Sequence, residues 1–530
     1  MQYQHVLLLE TNLLPPLILD YLSGSENLKK WYSYEPTPEN FLHQIEQKKH
    51  NYINRKILSE VLQSQYSKLQ KSEQLSINLS LVCNENTYTV TTAHQTNVFT
   101  GPLYYIYKIL HVIKLSDELK KLYPQYNFLP IYWMGSEDHD FEEINHIFLS
   151  GDKIEWKNNI GGVTGRLNPN SLVEPLSVIK TALENEPYLH EIIHLFEYGY
   201  KNYTSLSDAT RYILNELFGN YGLIVVNADE PKLKQLITKV IKDELTNEVV
   251  YNSTLETISY LEQEGYKVQA KPRAINLFYL ENNLRERIVY NDSGFYEVLN
   301  INLKFSKKEI LQLAESQPEK FSPNVFLRPL YQETVLPNLA YVGGSGELSY
   351  WLEQKNIFQY FKVSFPLLML RNSFLLVDLA TQKKLQKLNL PITDFLLNED
   401  SLVKKYIELN SDLPSFDFEK NELRKLFHTI KEKAVTVDAT LQATVDAHLK
   451  QALNNLENLE KKITKAEKNK QDVAINQLKS VRQKFMPNNT FQERHENILS
   501  FYSKYGNKLL NDLYNAIQPF EANLNIINLP

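Results

Sequence analysis

A chain of 530 residues, 43 % hydrophobic and 23 % charged, can bury a large core and has the composition of an ordinary globular protein. Its 57 basic and 63 acidic residues leave a net charge of −6, which argues against a dedicated nucleic-acid binder. A single cysteine, Cys83, excludes a disulfide framework and a thiolate-rich zinc site, and the chain lacks a run of about eighteen apolar residues that would span a membrane.

The opening MQYQHVLLLETNLLPPLILDYL has no basic lead-in and is broken by prolines, so it does not read as a signal peptide; the expectation is a cytoplasmic protein. Residues 1 to about 85 are expected to be largely helical, with LSLVC (Leu79–Cys83) as a short strand that places Cys83 in the core. The chain is organised around the stretch Thr91 to Phe148. Tyr88–Thr92 is β-branched and aromatic and favours an extended backbone. Thr100-Gly101-Pro102 is expected to open a helix, with Thr100 as cap and Pro102 at the first helical position. Leu103, Tyr107, Leu110 and Ile113 give that helix its apolar side. Phe128–Met134 (FLPIYWM) is nearly continuously apolar, like a strand of a parallel sheet buried on both faces. The helix then supplies the crossover that parallel strands need. Ligands of open parallel sheets sit beyond the carboxyl ends of the strands, so the turns His94–Gly101 and Gly135–Asp140 mark the place for chemistry.

Further on, Gly151–Gly165 is turn-rich and expected as a hairpin, Ser171–Phe218 as helix, Gly222–Asn227 as a buried strand and Pro231–Leu261 as helix. Short strands follow around Ile275–Leu280, Arg287–Asn291 and Phe295–Leu299. Strand Leu339–Val342 leads into Gly343-Gly344-Ser345-Gly346-Glu347 and a helix from about Leu348, and Phe365–Asp378 adds one or two strands. The fold class is α/β with a parallel-sheet core. From Ser415 to Met486 there is neither Gly nor Pro. Apolar residues there alternate steps of four and three from Leu423 to Leu441, slip through Val445 and Leu449, and resume from Ala452 to Ala466. That pattern predicts one helix of roughly 65 Å with a stutter, packed antiparallel on a shorter helix through Ile475–Phe485. Its excess length suits a second copy of the chain. The tail is expected to end in an edge strand at Leu524–Leu529. The division is a core over 1–385 with connecting segments at about 150–220 and 255–320, a coiled coil over 386–500, and a tail over 501–530 that returns to the core.

Several residues suit a chemical role or a structural one. Thr100 and Gly101 at a helix start offer backbone donors to an anion, and Lys108 either reaches a phosphate or is a solvated lysine. His94 and Gln95 either donate to a developing oxyanion or cap their turn. Glu137, Asp138, His139 and Asp140 place three carboxylates and an imidazole at a strand end, suited to Mg²⁺, a substrate amine or proton transfer, or else to capping a helix. Gly343, Gly344 and Gly346 with Glu347 either cradle a phosphate or let a substrate approach the backbone, or form only a turn, and Arg328 either holds a carboxylate through its bidentate fork or makes a structural ion pair.

Three segments together resemble one family: Thr100-Gly101-Pro102-Leu103-Tyr104 with Lys108; WMGSEDHDFEEINHI, which contains Trp133 and Gly135; and Asn324–Trp351, which contains Arg328, Gln332, Gly343-Gly344, Gly346-Glu347 and Trp351. They are similar to the cysteine-adding enzymes of bacillithiol biosynthesis, the BshC family. One departure is Ala93-His94-Gln95, where members often carry Gly-Gln-Gln. The resemblance implies a Rossmann-like, nucleotidyltransferase-like core, a coiled coil used for homodimerisation, and joining of cysteine to glucosaminyl-malate, with ATP and Mg²⁺ as the implied cofactors. The residues themselves make His94, Glu137, Asp138, His139 and Asp140 the candidates for catalysis. Substrate and nucleotide binding fall to Gln95, Thr100, Gly101, Tyr104, Lys108, Trp133, Gly135, Arg328, Gln332, Gly343, Gly344, Gly346, Glu347 and Trp351. The competing readings are another ATP-dependent amino-acid-activating or nucleotidyl-transferring enzyme, and a non-catalytic nucleotide-binding coiled-coil scaffold.

Overall fold

The computed structural model describes residues 2–158, 161–281, 284–410 and 415–530, apart from the side chains of 467–470. They form two compact units, Met1–Leu376 with Gln492–Leu529, and Val377–Phe491 with Pro530.

Five parallel strands organise the first unit, in the order Leu367–Leu370, Asn338–Gly343, Thr87–His94, Asn127–Met134 and Ile224–Asn227. Thr87–His94 and Asn127–Met134 are buried along almost their whole length, which is why neither shows an alternating pattern. The chain starts in the middle strand, adds two strands on one side and then crosses to the other. Winding therefore reverses between Thr87–His94 and Asn338–Gly343, and a crevice opens beyond their carboxyl ends.

Helix Leu103–Leu122 makes the first crossover, and 13 of its 20 residues are buried, far more than one apolar stripe. Its start differs from the expectation. Pro102 is the extended residue before the helix rather than its first residue, and Phe99, Thr100 and Gly101 all have positive φ (49°, 65° and 58°). Asn497 fastens this kink by donating from Nδ2 to the carbonyls of Phe99 and Gly101, at 2.8 and 2.5 Å. The N–H of Leu103 donates to Glu496 O, so the helix start is capped by the chain itself.

Other expectations are corrected. Gln2–Leu7 is a strand, and it pairs antiparallel with Asn523–Asn528. The latter lies between Gln2–Leu7 and Ser373–Val377, so the tail strand is central and not an edge. LSLVC is not a strand: Ser72 caps helix Glu73–Leu81 by accepting from Leu75 N, the helix takes up Leu79–Leu81 and ends there, and Cys83 in the turn beyond is left exposed rather than in the core. The expected hairpin starts earlier, pairing His146–Leu149 with Asp152–Glu155 around Ser150-Gly151; residues 159–160 of that stretch lie outside the described residues. The helix after the glycine-rich turn begins at Ser345, not Leu348. An antiparallel sheet in the order Leu303–Phe305, Tyr296–Val298, Leu284–Tyr290, Leu277–Glu281 and Phe321–Pro323 carries Phe278 and Arg285 to the crevice.

In the second unit, helices Asp417–Val437 and Leu441–Lys470 pack antiparallel, with Lys420 on Glu460 at 2.6 Å and Lys431 on Asp446 at 2.8 Å. The single long helix is thus replaced by a hairpin. Asp438 is extended (φ −154°, ψ 123°) and its carboxylate accepts from Thr440 N, which turns the chain. The heptad pattern hid this turn because two antiparallel partners carry the same alternation of apolar residues as one continuous helix. No helix among the described residues is long and apolar enough to cross a membrane.

Candidate active site at the sheet edge

A cavity of about 740 Å³ occupies the crevice, a volume suited to a small-molecule ligand. Four strand ends build its walls: His94 and Gln95 after the middle strand, Gly135–Asp138 after its neighbour, Gly344 and Glu347 after Asn338–Gly343, and Arg371 after the last.

Glu347 organises the glycine-rich turn. Its carboxylate accepts from Lys108 Nζ on both oxygens at 2.8 Å, from Tyr341 Oη at 2.6 Å and from Gly344 N at 2.9 Å. Burial pushes this carboxyl up, but Lys108 and the hydrogen bonds outweigh it and hold the value down at about 2. Lys108 also donates to Ala93 O and is 1 % exposed, so it is neither a solvated lysine nor a free phosphate ligand. It ties the crossover helix to two strand ends.

His94 stands at the switch point between two partners, Asn97 Oδ1 at 2.8 Å from Nδ1 and Tyr104 Oη at 2.9 Å from Nε2. With an amide oxygen facing Nδ1, the proton resides there and Nε2 accepts from the tyrosine hydroxyl. Burial, reinforced by Lys108, pulls the imidazole down to about 4, so it is neutral near pH 7. Gly135 permits the close approach of the next strand end: its N–H donates to His94 O at 2.7 Å, and a Cβ there would meet that oxygen at 3.2 Å.

The acidic run does not act as one cluster. Glu137 binds Lys234 Nζ at 2.6 Å and accepts from Ser322 Oγ at 2.6 Å. Asp138 accepts from Gln95 Nε2 at 2.7 Å and pairs with Arg285 at 3.4 Å. Burial pushes the Asp138 carboxyl up, yet hydrogen bonds from His139 and the Arg285 charge hold it well below the usual carboxylate range. His139 faces outward with Nδ1 2.9 Å from an Arg285 nitrogen. Asp140 caps the short helix Phe141–Ile144 by accepting from Glu143 N. Among the described residues, no group of three or more His, Cys, Asp or Glu side chains is placed to hold a metal ion.

The structure thus brings His94, Gln95, Tyr104, Trp133, Gly135, Glu137, Asp138, Arg328, Gly344, Gly346 and Glu347 to one cavity. His139, Asp140, Thr100, Gly101, Lys108, Gln332, Gly343 and Trp351 stand behind or beside it. Gln332 accepts from Arg328 at 3.1 Å and Trp351 packs on Tyr341 with ring centroids 4.6 Å apart, so both support the wall. Arg328 itself lies over the Tyr341 ring and has no carboxylate within 4 Å among the described residues. Sequence reasoning missed Arg285, Arg371 and Arg494, all of which line the cavity. Only Arg371, one residue past the end of strand Leu367–Leu370, carried a signal, the strand-end rule that pointed to the other turns.

A parallel sheet wound in both directions, with a substrate-sized polar cavity at its switch point, defines a Rossmann-like domain. Comparison with known proteins agrees: residues 1–372 match the model of the bacillithiol biosynthesis BshC N-terminal Rossmann-like domain, and residues 374–529 that of the BshC C-terminal coiled-coil domain. Relatives named "Putative cysteine ligase BshC" occur in Flavobacterium psychrophilum (43 % identical, 96 % of each chain), Christiangramia forsetii (42 %, covering 98 % of this chain and 97 % of that one) and Flavobacterium johnsoniae (41 %, 97 % of each). The chain belongs to the BshC family of bacillithiol biosynthesis.

Proposed function

We propose that this chain is a cysteine ligase that joins L-cysteine to glucosaminyl-malate and so completes bacillithiol. The observation that carries the reading is the neutral His94–Tyr104 pair, set in the same cavity as Arg328, which has no carboxylate partner among the described residues. Family membership and the names of the relatives support it. An amide forms only when the cysteine carboxylate carries a leaving group and the acceptor amine loses a proton. ATP, when bound, supplies that leaving group; Arg273 and Lys271, exposed cations on the cavity wall, are the residues that would hold its phosphates, with Mg²⁺ arriving on them.

Arg328 holds a malyl carboxylate and orients the acceptor. As the amine nitrogen forms its bond to the cysteine carbonyl carbon, the bond to the leaving group breaks with its electron pair. Tyr104 takes the amine proton while passing its own to His94 Nε2, and Asn97 fixes the imidazole by accepting at Nδ1. Gln95 and Glu137 also line the cavity. The reaction runs in the cytoplasm, and the exposed apolar residues Leu426, Ile430 and Leu459 of the helical hairpin suit homodimerisation.

Thiol profiling of a deletion strain tests the reading. Glucosaminyl-malate should accumulate without bacillithiol, with wild-type chain but not His94→Gln restoring the thiol. Unchanged bacillithiol in a strain lacking any redundant enzyme would overturn it.

A further inference from the structure

The returning tail builds a part of the cavity that the proposed reaction does not yet use. Arg371, 3 % exposed, is held by Glu493, which accepts from its two terminal nitrogens. Its Nε–H is buried and has no hydrogen-bond partner among the described residues. A buried donor without a partner is costly, and here it belongs to a residue of the cavity wall. A Cβ at Gly344 would stand 3.8 Å from that nitrogen, so the glycine-rich turn borders it. The next residue after Glu493 is Arg494, which is exposed, lines the same cavity and has no carboxylate within 4 Å among the described residues. Both guanidinium groups lie over the ring of Tyr104, at 5.4 and 6.0 Å from its centroid.

One of these arginines is neutralised by Glu493 and keeps a donor to spare; the other has no carboxylate beside it among the described residues. We propose that Arg371 Nε–H and the Arg494 guanidinium form an oxyanion subsite, separate from Arg328, which receives a carboxylate or phosphate group of the ligand. Two guanidinium groups in one cavity, Arg328 and Arg494, without a carboxylate partner among the described residues match a ligand with two separated negative groups. If the proposed reaction holds, on which this assignment of source rests, those are the two carboxylates of the malyl group. A nucleotide phosphate offers the same chemistry to the subsite.

Calorimetric titration of the full chain with L-malate, acetate and inorganic pyrophosphate tests the subsite. The expected result is that malate binds, acetate binds far more weakly, and Arg494→Gln and Arg328→Gln each weaken malate about tenfold or more. Arg494 is exposed, so its variant keeps the fold. Pyrophosphate binding that depends on Arg494, with no malate binding, would also support the subsite and assign it to a phosphate. Unchanged affinity of Arg494→Gln for both anions, or no binding of either by the wild-type chain, would overturn it. Malate binding needs neither cysteine nor turnover. A chain that makes no bacillithiol yet binds malate through Arg494 would refute the reaction and keep the subsite.

Discussion

Two polar turns leave the same edge of the same sheet and use their acids in opposite ways. In Gly343–Glu347 one carboxylate gathers a lysine, a tyrosine and a backbone N–H, and locks the turn to the crossover helix. In Gly135–Asp140 four neighbouring polar side chains diverge to Lys234, to Arg285 and Gln95, to the exterior, and to a helix cap. Charge density along a sequence is therefore a poor guide to charge density at a site; the partners that arrive from elsewhere decide it.

The largest effect expected from this contrast is on stability. Glu347→Ala leaves Lys108 charged and buried, which should cost about 3–5 kcal/mol in urea unfolding. The double variant Lys108→Met, Glu347→Gln should recover much of that loss; a double variant as unstable as the single one would break the pairing argument.

Acid should expose the same turn. His94 titrates near 4 in the folded chain against 6.5 ordinarily, so the unfolded chain binds more protons between these values. Its contribution is complete above pH 6.5 and fades as pH falls toward 4; that of Glu347 fades from 4.5 toward 2. Thermal melts of His94→Gln should show a shallower slope between pH 6.5 and 4, with buried His111, held down to about 3, supplying the remainder, and keep the lower one. An unaltered upper slope would reassign it to another group.

Glu353 has the opposite sign. Burial pushes it from 4.5 up to about 7, although it accepts from the backbone N–H groups of Gln269 and Ala270 on the cavity wall. The folded chain holds its proton longer, so stability falls as pH rises from 4.5 to 7. Glu353→Gln should therefore stabilise the chain at pH 8, by about 2 kcal/mol, and have no such gain at pH 4. Equal melting shifts at both pH values would contradict this.

The smallest effect belongs to Asp140. As a cap of a one-turn helix outside the cavity, its replacement by Ala should cost about 1 kcal/mol and leave turnover unchanged. A large loss of turnover at normal stability would return it to the active site.

The parallel core was legible because strands such as FLPIYWM are buried on both faces and state their environment in their own residues. The strand-end rule then located His94, Glu137 and Glu347 without any tertiary information. What stayed hidden depended on distant chain. Arg371 meets Glu493 across 122 residues, and Arg285 reaches Asp138 across 147. Cys83 looked like core because a short apolar run does not reveal whether a helix or a strand carries it, and the Ser72 cap favoured the helix. The hairpin turn at Asp438 was invisible to periodicity because the seam is the same on either side of it.

The most direct test is to incubate purified chain with L-cysteine, glucosaminyl-malate and ATP, and to follow the amide by mass spectrometry. Bacillithiol should form with wild-type chain and with Asp140→Ala, and fall at least about a hundredfold with His94→Gln, the usual scale of a lost proton-transfer group. Product at the wild-type rate from His94→Gln, or none from a folded wild-type chain that binds the acceptor, would contradict the account.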